Sequence, residues 1–105
     1  MYRNTLLAGV LALALAPPVT AQTAQQIGLC ASLGQLAGLI MDNRQLGASM
    51  AEQMTAIGDN PAREIIFRVI RDAYDIPRFA TEHHQRRAAQ EYRVEVEAAC
   101  IRSVL

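Results

Sequence analysis

No lysine occurs in this 105-residue chain, and neither sign of charge is in excess: ten arginines stand against ten Asp plus Glu. We read the missing lysine as codon usage rather than chemistry. The balance excludes more. A chain without a basic surplus has no footprint for nucleic acid, and without a polybasic segment it has no handle for anionic lipid. No glycine-rich phosphate loop, low-complexity tract or internal repeat is present. Long apolar runs are missing as well. The stretch at residues 6–16 falls short of the roughly 20 apolar residues that a spanning helix needs.

That short run has a different meaning at the start of the chain. Arg3 and the free amine precede it, Pro17 and Pro18 follow it as helix breakers, and Val19-Thr20-Ala21 puts small residues at −1 and −3. These are the parts of a secretory signal peptide. The expected division is a cleavable leader at residues 1–21 and a single helical domain at residues 22–105, periplasmic or secreted, with no stable membrane insertion after cleavage. A lipoprotein would need a small residue before its cysteine, and Leu29 precedes Cys30. Loss of Arg3 leaves the remainder one charge negative.

Cysteine is scarce: Cys30 and Cys100 stand alone. In an oxidising compartment two thiols tend to pair, and with only two the intramolecular connectivity has no alternative. Closing so long a loop is worth about 4 kcal/mol in the chain-entropy model, and domains this small often need such a staple.

Between these marks the chain reads at helical period. A first helix is expected over residues 24–43, with Leu29, Cys30, Leu33, Leu36, Ala37, Ile40 and Met41 on one face. Ala31, Gly34 and Gly38 form a second ridge. Glycine inside a helix costs about 1 kcal/mol relative to alanine, so Gly34 and Gly38 point to a closely packed backbone. That is an intramolecular crossing or a homodimer contact. Gly47 closes a turn. Ser49 and Glu52 form a capping box for a short second helix ending near Ile57. Asn60-Pro61 reads as N-cap and first residue of a third helix, which ends before Pro77. Its wide apolar arc, from Ile65 to Ile76, marks it as the expected centre of the fold. Thr81 caps a fourth helix reaching about Ser103, with Ala88, Ala89, Tyr92, Val96, Ala99 and Cys100 as its stripe. The expected fold is therefore all-α: a small four-helix up-down-type bundle, one helix short, stapled by Cys30–Cys100. In that order the two cysteines meet at one end.

The candidate chemistry is thin. His83 and His84 lack ligand partners three or four residues away, where Arg86, Arg87 and Ala88 stand. Met41, Met50 and Met54 match a soft-metal set but also the gap-fillers of a helical core. Glu64–Arg68, Arg68–Asp72, Arg71–Asp75, Glu82–Arg86, Arg87–Glu91 and Arg93–Glu97 are i,i+4 pairs, a solvated lattice rather than a site. Ser32, Ser49 and Ser103 have no histidine at local spacing, and so small a fold leaves little room for a sheltered pocket. No enzyme, metal or cofactor is expected. Arg44 and Gln45, in the turn before Gly47, are the polar surface residues to inspect first.

The run Cys30-x-x-Leu33-x-x-Leu36-Ala37-x-x-Ile40-Met41-x-x-Arg44-Gln45-x-Gly47-x-Ser49, with Ala73-Tyr74 before a proline and a cysteine near the C-terminus, resembles small exported helical proteins of proteobacteria. The resemblance implies a periplasmic or secreted location and supplies no activity and no functional residue. The expected role is an envelope-associated accessory factor that binds another protein. The alternatives are an acid-stress holdase and a small-ligand or metal carrier.

Overall fold

Helix α1 spans Pro17–Gln45, α2 Met50–Ile57, α3 Arg63–Ala73 and α4 Glu82–Val104, and no strand occurs among the described residues. The computed structural model describes residues 17–105, with side chains from residue 21 onward. The charged start and apolar run of the expected leader lie outside the described residues. Among those described, no helix is long and apolar enough to cross a membrane.

Local chemistry explains most of the helix boundaries and corrects two. α1 includes Pro17 and Pro18 among its described residues, so the helix reaches well before residue 24. The second correction is at α3. Asn60 does not cap the helix. Its Oδ1 accepts the Ala62 N–H at 2.8 Å and its carbonyl accepts the Arg63 N–H at 2.9 Å. That closes a turn, and α3 begins only at Arg63. The other caps follow the sequence. Ser49 Oγ accepts from the Glu52 N–H at 3.0 Å while Glu52 Oε1 accepts from the Ser49 N–H at 3.3 Å. Thr81 Oγ1 accepts from the His84 N–H at 3.3 Å. Gly47 and Gly58 take φ of 102° and 60°, values an L side chain rarely adopts.

The four helices run up, down, up, down. Antiparallel pairing of α1 and α4 follows from their contacts. Cys30 bonds Cys100 with a Cα–Cα distance of 5.4 Å, Gly34 faces Arg93 and Glu97, and Gly38 faces Ala89 and Arg93. A Cβ added at Gly34 would lie 2.9 Å from the Arg93 carbonyl oxygen and 2.9 Å from Glu97 Cβ. The glycine is thus what lets the two backbones meet. At Gly38 the nearest atom would be Arg93 Cβ at 3.4 Å, ordinary contact.

This α1–α4 seam is the most extensive helix pairing of the fold. α3 packs against both α1 and α2 and lays Ile66, Val69, Ile70 and Ala73 onto the seam's flank. There they join Ala37, Ile40, Met41, Ala88, Ala89 and Tyr92 in the core. Three residues placed on buried faces are exposed: Leu29 (65%), Ile65 (45%) and Ala99. Leu29 lies on α1 just ahead of the disulfide, and Ile65 and Ala99 border open space between α3 and α4. The charge lattice is looser than expected. Glu82–Arg86 and Arg87–Glu91 close at 3.0 and 2.9 Å, and Asp59–Arg63 sits at 3.7 Å. The remaining i,i+4 pairs stay open, in keeping with the small gain available to exposed ions.

Candidate functional site

Arg44 and Gln45 are not surface residues in the sense expected. Gln45 is 1% exposed because the segment after α3 folds back over the end of α1. The Gln45 Nε2 donates to the Pro77 carbonyl at 3.0 Å and to Met41 Sδ at 3.4 Å, and its Oε1 accepts the Phe79 N–H at 2.8 Å. Arg78 Nε donates to the Gln45 carbonyl at 3.1 Å, and Arg44 Nε to the Ile76 carbonyl at 3.3 Å. The Arg44 guanidinium also lies 4.8 Å from the centre of the Tyr74 ring. A second glutamine continues the tie. Gln53 Nε2 donates to the Ile40 carbonyl and to Tyr74 Oη, both at 3.0 Å, and the Tyr74 hydroxyl donates to the Ala48 carbonyl. Each buried amide is satisfied, as burial demands. These residues strap the chain after α3 in place.

The strap sets the geometry of a cleft. α4 is held tightly against α1, whereas α3 and α4 approach each other only loosely. Between α3 and α4 a cleft of about 550 Å³ opens, with Leu33 of α1 among its lining residues and Val69, Ile76, Val96 and Ala99 along its walls. It continues past Ile76, Tyr92 and Glu95 into a second hollow beside Phe79 and His84. The disulfide borders the first end through Cys100. Inside, the Tyr92 hydroxyl donates to the Val69 carbonyl and joins the two walls.

The rim is acidic. Asp72, Asp75 and Glu95 line the first hollow against the single cation Arg68, and none of the three carboxylates is in an ion pair. Their field is felt inside. Burial pushes the Tyr92 phenol far above the ordinary tyrosine range, and the charges of Asp72, Glu95 and Asp75 push it further. At the far end Arg87 is neutralised by Glu91. Asp72 and Asp75 sit at i,i+4 from Arg68 and Arg71 and so look like members of the charge lattice, yet neither pair closes. Glu95 carried a usable signal, since no arginine stands three or four residues from it on either side.

Of the other residues weighed for chemistry, His84 borders the far hollow and the methionines lie in or against the core. His83 and His84 are exposed, and His84 Nδ1 lies 2.6 Å from Thr81 Oγ1. Met41 is buried in the core, with Met50 and Met54 packed against it. No cluster of three or more His, Cys, Asp or Glu side chains is placed to hold a metal among the described residues. Comparison with protein-family models, with curated proteins and with solved structures returns no match, so the fold and the cleft are the observations that bear on what this chain does.

Proposed function

We propose that this chain is a non-enzymatic exported domain, periplasmic or secreted, that binds another protein through the cleft between α3 and α4. The leader-like residues 1–21 support export, and a disulfide between helices suits an oxidising compartment. The observation that carries the binding reading is the cleft itself. Apolar side chains of two helices face each other across open space, in the arrangement that a groove-binding partner fills. Exposed Ile65 and Phe79 extend that surface past the walls.

A pair of photo-crosslinking variants tests it. Ala99 is exposed and borders the cleft. Gln90 is exposed and lies beside Leu39 and Gly38, near the α1–α4 seam. A crosslinker at position 99, in cells exporting the full chain, should yield a discrete adduct with another protein that position 90 does not yield. No adduct at 99, or the same adduct from both positions, would overturn the reading.

A further inference from the structure

We infer that the partner segment is a basic amphipathic helix, which rests on the protein-binding reading above and narrows it. Three observations converge. The two adjoining hollows are long: measured along α4, the axial rise from His84 to Ser103 is about 28 Å, the length of a helix of some five turns. Its walls are aliphatic, with Val69 and Val96 facing from opposite helices. Three unpaired carboxylates, Asp72, Asp75 and Glu95, stand on both sides of the opening against the unpaired Arg68, while Arg87 at the far end is paired with Glu91.

A helix with one apolar stripe and arginine or lysine beside it satisfies all three. The stripe fills the cleft, and the flanking cations meet the carboxylates from both walls. An acidic partner would face like charge at the rim, a mismatch that suppresses association. An anionic bilayer or a nucleic acid backbone would be repelled for the same reason. The same carboxylates add to the rise that burial imposes on the Tyr92 pKa.

The test is fluorescence anisotropy with the purified disulfide-bonded protein and two labelled helical peptides of about 18 residues. One combines a leucine stripe with flanking arginines; the other replaces each arginine by glutamate. The arginine peptide should bind saturably and at least about tenfold tighter than the glutamate peptide, with affinity falling as salt rises. The triple variant Asp72→Asn/Asp75→Asn/Glu95→Gln should weaken it about tenfold. A control with the same charge change elsewhere, Asp42→Asn/Asp59→Asn/Glu64→Gln, should not. All six carboxylates are exposed, so both variants should retain the wild-type melting curve. Equal binding of the two peptides, no saturable binding, or equal effects of the two triple variants would overturn the inference. So would self-association, or uptake of a fluorescent fatty acid, that Ala99→Arg abolishes, since either gives the cleft another occupant. If the peptides fail while the position-99 adduct persists, the partner is a protein of different chemistry. If both fail, the binding reading fails with them.

Discussion

The hydroxyl of Tyr92 on α4 donates to the main-chain carbonyl of Val69 on α3, bridging the two walls of the cleft. Burial and then the charges of Asp72, Glu95 and Asp75 raise the pKa of this phenol, so folding favours its neutral form. Stability from such a group is fully present below the unfolded tyrosine value of about 10 and is lost as pH climbs beyond it. Unfolding free energy should hold up to about pH 10 and then decline by as much as about 1.4 kcal/mol per pH unit. No lysine is present to titrate in the same window. Tyr92→Phe should cost about 1 kcal/mol at neutral pH through the lost hydrogen bond and should flatten the alkaline limb. Urea unfolding at stepped pH measures both, and an unchanged limb in the variant would assign the loss to another group.

Two glycines in one helix should respond in opposite directions to the same change. At Gly34 an added methyl meets the Arg93 carbonyl and Glu97 Cβ at 2.9 Å. Gly34→Ala should therefore lose about 1–3 kcal/mol as the seam is forced apart. Gly38 has ordinary contact distances, so Gly38→Ala should gain up to about 1 kcal/mol from helix propensity. Thermal melting of the two variants settles it. Equal effects would mean that the glycines do not differ in how closely α4 approaches.

Helix periods, the Ser49–Glu52 box, the Thr81 cap and the Cys30–Cys100 pairing were legible in the sequence. Each depends on neighbours within a turn, or on an order of helices that leaves the cysteines one arrangement. Gln45 was legible as a polar residue of interest but not as a buried one. Its burial depends on Pro77 and Phe79, more than thirty residues away, folding over it. The cleft was hidden for a related reason. An apolar arc does not say whether the neighbouring helix closes on it, and α3 stands off from α4 while α1 does not. Asn60 reads as a cap because a turn through Pro61 and Ala62 uses the same side-chain oxygen that a helix cap would use.

Removing the Gln45 amide should loosen the strap after α3 while leaving the helices formed. Gln45→Leu takes the donor from the Pro77 carbonyl and the acceptor from the Phe79 N–H. The cost should be about 1–3 kcal/mol for the groups left unpaired. Hydrogen exchange should show lost protection at the Phe79 amide, with Ile70 and Tyr92 changed only by the global loss. Protection retained at Phe79 would show that the strap is held by Arg44 and Arg78 alone.

The disulfide joins α1 to α4 beside one end of the cleft. Replacing both cysteines by serine should lower stability by about 2–4 kcal/mol. Reductant should lower the melting temperature of the wild type and leave the double variant unchanged. Equal melting of oxidised wild type and double variant would show that the α1–α4 seam holds without the staple.

The cleft as docking surface is tested most directly by an amide and methyl chemical-shift map of the isotope-labelled, disulfide-bonded protein, titrated with the arginine–leucine peptide. The expected result is a contiguous set of shifts at Ile65, Val69, Ile76, Val96 and Ala99, with Leu39 and Gln90 near the α1–α4 seam unmoved. Shifts centred on Leu39 and Gln90, or shifts scattered over the exposed acidic residues with Val69 and Val96 unmoved, would contradict it.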